Sequence, residues 1–168
     1  MRWLFILLIC FGCGDDDVPA GDAGPGGDAA QVVTPAPEGC GSELEIAEFD
    51  LTNAARADEG RPALICDAEL AAVARAHSAD MCARDYFDHT NLDGQSPGDR
   101  VSNAGISARG IGENIAAGNS TASETHTQWM NSPGHRRNIL SENYTRIGVG
   151  YAMCPNGYRH YWTQVFAR

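Results

Sequence analysis

The chain has 168 residues and a formal net charge of −10, and its twelve basic residues are all arginine. That length admits one domain of ordinary size, and the lack of lysine disposes of any Schiff-base lysine mechanism. Six of the 22 acids precede Cys40 with only Arg2 to offset them, so residues 40–168 carry 16 acids against 11 arginines, a net of −5 without a basic stripe. This excludes an electrostatic footprint for nucleic acid.

Residues 1–13 read as an export address. Trp3 to Phe11 is an apolar run of nine, far short of the ~20 residues that span a bilayer, and it suits the apolar core of a signal segment. Gly12 and Cys13 follow, and a small residue directly before a cysteine resembles the cleavage box of bacterial lipoproteins. That resemblance implies that Cys13 becomes the lipid-bearing first residue of the mature chain, with simple secretion or an uncleaved anchor as the alternatives. Residues 14–39 hold six Gly, four Pro and five Asp, and this composition predicts a flexible acidic tether reaching ~28 Å on average.

Residues 40–168 form the domain. They contain Cys40, Cys66, Cys82 and Cys154, an even number in an exported chain and without internal C-x-x-C spacing, which predicts two disulfides rather than a metal cluster. Four cysteines allow three connectivities, and the spacing does not choose among them.

Leu44, Ala47, Leu51 and Ala54 recur at helical spacing and predict an amphipathic helix over 44–57, ended near Gly60 and Pro62. Asp67 caps a second helix whose apolar stripe is Leu70, Val73, Ala74, His77 and Met81; His77 reads as a core histidine. From Phe87 to Ile115 the glycines and Pro97 predict mostly loop, with one short helix around Asp99 to Asn103. Thr121 and Glu124 resemble a capping box opening a helix through Trp129 and Met130. Ser132 reads as the cap of a further short helix whose first turn holds Pro133. Ile147, Val149, Tyr151 and Met153 alternate with smaller residues, and His160 to Phe166 is rich in aromatic and β-branched types. These predict an antiparallel hairpin through Pro155, Asn156 and Gly157.

Four segments follow one another in a fixed order: Tyr86-Phe87-Asp88-His89, Gly112-Glu113-Asn114-Ile115, Trp129 to Arg136, and Tyr161-Trp162-Thr163-Gln164-Val165-Phe166. With Leu51-Thr52-Asn53, Arg56 and His77-Ser78 they resemble the CAP superfamily of cysteine-rich secretory, antigen 5 and pathogenesis-related proteins, in its bacterial exported branch. The likeness spans Leu44 to Arg168. It implies an α+β fold, a three-layer α-β-α sandwich, whose motif residues meet at one cleft. In the better-known members that cleft holds two His and two Glu, and His89 and Glu113 match the first of each. Ser132 stands where the eukaryotic pattern has its second Glu. The Ser-Pro-Gly-His segment of the bacterial branch makes His135 the second imidazole.

Two neutral imidazoles and one carboxylate converging on an open cleft can hold a divalent ion such as Zn²⁺ and leave a position for water. The separations of 24 and 22 residues between His89, Glu113 and His135 lack the short i, i+4 repeat of stronger metal motifs. A hydrogen-bonded network that locks loops through Glu113 is the plain alternative. Glu124 and His126 read as solvent-side residues, Arg136 and Asn138 as fasteners of the short helix, and Trp129, Tyr161 and Trp162 as core. Ser132 lacks the surroundings of a nucleophile elbow. The expectation is an exported, membrane-tethered module whose cleft takes a small ligand, a lipid or a metal ion. A metal-dependent, peptidase-like hydrolase or a purely structural envelope protein are the other readings.

Overall fold

The structure is a computed structural model that describes residues 39–168. The signal segment, Cys13 and the tether up to residue 38 lie outside the described residues. Five helices and four strands follow in the order α1 (Glu43–Asp58), β1 (Ile65–Cys66), α2 (Ala68–Arg84), α3 (Pro97–Asn103), β2 (Ile111–Ala117), α4 (Ala122–Met130), α5 (Pro133–Leu140), β3 (Arg146–Met153) and β4 (His160–Ala167). The strands form one sheet in the order β1-β3-β4-β2, in which only the β1–β3 pairing is parallel.

The sheet is covered on both faces, and the period of two along β4 shows how. Trp162 and Phe166 enter a core shared with Trp129 of α4 and Ile139 of α5, while Val165 and Ala167 enter a second core with Leu70 and Val73 of α2 and Val101 of α3. Successive residues on a strand point to opposite faces, so one strand feeds two cores and the result is the α-β-α sandwich. Along β3 the same alternation sets Ile147 and Val149 against Gly148 and Gly150. A Cβ at either glycine would collide with the backbone of α2, at Leu70 and Ala71 or at Ala74 and Arg75. The two glycines let α2 lie directly on the strand, which explains the small residues in the alternating run.

Most predicted elements form where the sequence puts them. Asp67 caps α2 by accepting from the amides of Glu69 and Leu70, and Thr121 caps α4 by accepting from Glu124. The disulfides join Cys40 to Cys66 and Cys82 to Cys154. The first ties the chain entering α1 to β1; the second ties the last turn of α2 to the end of β3. Closing loops of this length is worth about 3–5 kcal/mol each in the chain-entropy account.

Four expectations need correction. The stretch from Phe87 to Ile115 is not loop to its end: Ile111–Ala117 is β2, paired along its whole length with β4, and the glycines around it punctuate a strand. Helix α1 buries Glu45, Glu48, Thr52 and Arg56 rather than the Leu44–Ala54 stripe, because each of those polar groups finds a partner inside. Ser132 occupies the cap position of α5 without a side-chain cap bond; Pro133, which has no N–H to satisfy, starts that helix. Finally, His126 does not face solvent: its Nδ1–H donates to Glu48 Oε1 at 2.9 Å because α1 packs over α4. Glu124 is exposed, as expected. Among the described residues no helix is long and apolar enough to cross a membrane.

Gly148→Val would drive a branched side chain into the α2 backbone. It is expected to lower stability by about 3 kcal/mol, at the upper end of ordinary overpacking, read from urea denaturation midpoints at unchanged slope.

Candidate functional site

The pleat of β2 decides the site. Asn114 points toward α5 and Glu113 toward α2, one residue apart on opposite faces of an edge strand. On its face Glu113 is 8 % exposed and both carboxylate oxygens are engaged. His89, from the loop after α2, donates Nδ1–H to Oε1 at 2.8 Å, and Arg100 of α3 donates to Oε2 at 2.5 Å. Arg100 also donates to the carbonyls of His89 and Gln95, at 2.8 and 3.0 Å. One guanidinium therefore fastens the 89–95 loop to the carboxylate, and Asn91 stiffens that loop by accepting from the amides of Asp93 and Gln95.

His77 is a core histidine, as expected, yet it abuts the site. Its Nε2 donates to the Asp88 carbonyl at 3.0 Å and lies 3.9 Å from Glu113 Oε1. That bond fixes the tautomer with the proton on Nε2, so Nδ1 is a buried lone pair without a partner among the described residues. Burial of the ring pushes its pKa down.

His135 arrives from the other layer. Asn114 Nδ2 donates to its backbone carbonyl at 3.2 Å, and Asn138 Nδ2 donates to Glu113 O at 3.1 Å and to Asn114 Oδ1 at 2.9 Å. These bonds hang α5 from β2 and bring the His135 ring within electrostatic reach of His89. Its pKa is lowered, first by burial and then by the positive charge on His89. The His89 pKa is raised, first by the hydrogen bond to Glu113, against a smaller opposing effect of burial.

The structure thus brings all three sequence-predicted residues to one edge of the sheet, with Glu113 and His89 in contact. Among the described residues, no group of three or more His, Cys, Asp or Glu side chains is arranged to hold a metal ion. The sequence reading missed Arg100, which occupies half of the Glu113 carboxylate and carries no motif of its own. It also missed that His77 borders the same carboxylate; its place directly before Ser78 in the recurring set was the available signal. Arg136 and Asn138 do fasten α5, the former by an ion pair with Glu59.

Residues 49–166 match the family model of the cysteine-rich secretory protein family, CAP. The chain belongs to the CAP family. The uncharacterized protein YkwD of Bacillus subtilis (strain 168) is 45 % identical over 125 residues, 74 % of this chain and 47 % of the relative. The uncharacterized membrane protein YlbC of the same organism is 36 % identical over 127 residues, 76 % of this chain and 34 % of the relative. The crystal structure of an extracellular SCP-domain protein from Bacillus anthracis str. Ames superimposes with a TM-score of 0.66 at 39 % identity, covering 72 % of this chain and 39 % of that one. The chain therefore spans less than half the length of these relatives. Its CAP domain is the part they share.

The three imidazoles should separate in a histidine NMR titration, with His89 above the ordinary value of about 6.5 and His77 and His135 below it. A raised folded-state value gives His89 a stabilising contribution that is complete below about pH 6.5 and lost as pH rises through the folded value. The depressed values of His77 and His135 act in the opposite sense, removing stability as pH falls below about 6.5. The urea midpoint of wild type should therefore exceed that of His89→Ala by more at about pH 5.5 than at about pH 8.5; a constant gap would show that the Glu113 bond does not favour the charged ring.

Proposed function

We propose that the chain is an exported CAP domain that captures a small ligand at the edge of the sheet, between His89 and His135, and is held at a membrane by a lipid on Cys13. The observation that carries the first part is the state of Glu113. A carboxylate that accepts from a guanidinium on one oxygen and from an imidazole N–H on the other, and that is only 8 % exposed, is committed to orienting protein groups and has little access to water. This favours capture over hydrolysis.

The donor set suits a divalent ion as a pair of imidazoles rather than as the full trio. Glu113 as a direct ligand would have to give up Arg100, whose side chain is 8 % exposed, and leaving a buried guanidinium unpaired is costly. Holding Nδ1 of His89 leaves Nε2 as the ligating atom, which is how outer carboxylates orient metal-bound histidines. An ion such as Zn²⁺ would act there as a Lewis acid on a bound oxygen. His89 and His135 would hold it, and Glu113 would orient His89. Two disulfides and an extracellular SCP-domain relative fit export.

Calorimetric titration with Zn²⁺ should show uptake by wild type at micromolar concentration, weakened tenfold or more in His89→Ala and in His135→Ala. Equal uptake by the variants removes the histidines from the reading. Should neither Zn²⁺ nor a panel of short carboxylates perturb the His89 and His135 resonances, the capture reading fails. Release of product from peptides or cell-wall fragments would replace capture by catalysis.

For the anchor, mass spectrometry of the membrane fraction should find a mature chain beginning at an acylated Cys13, with Cys13→Ser released to the medium. An unmodified wild-type chain recovered from the medium would overturn it.

A further inference from the structure

A second groove lies beside the site but shares none of its ligand-facing residues. Its volume is about 540 Å³, within the range of small-molecule sites, and it is lined by Asp85, Tyr86 and Phe87 on one side and by Gly157, Tyr158 and Tyr161 on the other. Phe87 is 42 % and Tyr158 60 % exposed, adjoining aromatic surface left in water. The two rings meet edge to face with centroids 6.0 Å apart, and Tyr158 meets Tyr161 in the same way at 6.2 Å. The walls are tied to one another. Cys82 and Cys154 join the last turn of α2 to the end of β3 immediately beneath them.

The polar groups of the groove are placed as deliberately as its rings. Asp85 ends α2 in the left-handed conformation at φ 53°, a region disfavoured for residues with a side chain, which turns its carboxylate back toward the hairpin. Gly157 sits opposite at φ +59°, and a Cβ there would collide with both Asp85 Oδ1 and the Tyr161 hydroxyl. The missing side chain keeps a carboxylate and a phenol together on the floor. The Tyr161 hydroxyl accepts from the Tyr158 amide at 3.3 Å, and Tyr161 itself is fully buried, so it braces the hairpin beneath the groove. Among the described residues no hydrogen bond occupies the Asp85 carboxylate.

We propose that this groove binds a neutral oligosaccharide. A pyranose ring has flat faces of weakly positive C–H groups, which match the aromatic surface of Phe87 and Tyr158, and an equatorial rim of hydroxyls, which matches the acceptor at Asp85. A lipid chain would need a continuous apolar lining, which the carboxylate interrupts. An acidic glycan would meet the Asp85 charge in a domain already negative overall.

The test titrates the full mature chain with cellotetraose and chitotetraose, and with a galacturonate tetramer as the acidic counterpart, followed by calorimetry and amide chemical shifts. The neutral tetramers are expected to bind and to move the amides of Gly157 and Tyr158. Phe87→Ala and Tyr158→Ala, both at exposed positions, should each weaken binding about tenfold, consistent with the loss of one ring face. Tyr158→Phe, which keeps the ring, should stay within about twofold. Shift mapping needs no variant and keeps the test decisive if an alanine variant folds poorly. The proposal is overturned by no binding of either neutral tetramer at millimolar concentration, by shifts confined to other surfaces, by galacturonate binding as tightly, or by folded alanine variants that bind like wild type.

Discussion

A run of buried amide and carboxylate groups across one face of the sheet holds the site in register. Glu48 of α1 accepts from His126 of α4 and from Gln164 of β4, at 2.9 and 3.1 Å. Gln164 in turn accepts from Asn114 of β2 at 3.0 Å, and Asn114 accepts from Asn138 of α5. Asn114 and Gln164 are direct cross-strand partners. Five elements are thus stitched together in a region closed to water, where each unmade bond costs more than a made one returns. Apolar residues at these positions could pack in several ways, whereas this chain of donors and acceptors has one solution. The pleat then does the rest: with Asn114 fixed toward α5, Glu113 must face α2.

Glu113 organises the opposite face by charge rather than by shape. Arg100 neutralises it from α3, His89 hydrogen-bonds it from the loop, and His77 closes the space beneath. Removing any one of these would leave a buried charge or lone pair exposed to a poor dielectric, which accounts for a loop of this length being ordered at all. The carboxylate is therefore an orienting group. It holds His89 with Nε2 outward, and the carbonyl of His135 is held from the other layer by the neighbouring Asn114. The cleft is the place where groups from the two sides of one strand come together at the edge of the sheet.

The sequence made the apolar elements legible and concealed the polar ones. Helix α2 and the hairpin follow directly from periodicity, because their buried residues are apolar. The α1 stripe of Leu44, Ala47, Leu51 and Ala54 is equally periodic but is not the buried face: Arg56 turns inward to the carbonyls of Pro62, Ile139 and Ser141, and Glu45 turns inward to the Tyr151 amide. No propensity rule anticipates a charged residue that turns inward to partners more than eighty positions away, as Arg56 does to Ile139 and Ser141. Strand β2 was hidden by its glycines and by Glu113 and Asn114, polar residues in a strand covered on both faces. His126 was misread for the same reason, its partner Glu48 belonging to a distant helix. His89, Glu113 and His135 were legible through their motifs, whereas Arg100, without a motif, was not. The disulfide pairing needed coordinates.

The loop from Asp85 to His89 shows how little chain is required to build two surfaces. The disulfide from Cys82 fixes where the loop leaves α2, and the left-handed turn at Asp85 reverses it. Tyr86 then packs inward, its hydroxyl donating to Asp80 and its ring lying edge-on to His77 at 6.2 Å. Phe87 turns out into the aromatic groove, the Asp88 carbonyl returns to His77, and His89 reaches Glu113. Because the residues on either side are held by a covalent bond and by a buried imidazole, Phe87 and His89 have little freedom to relax toward one another. An exposed phenylalanine two residues from a half-exposed histidine is the outcome of that constraint, and the two side chains lie on adjoining faces of the domain.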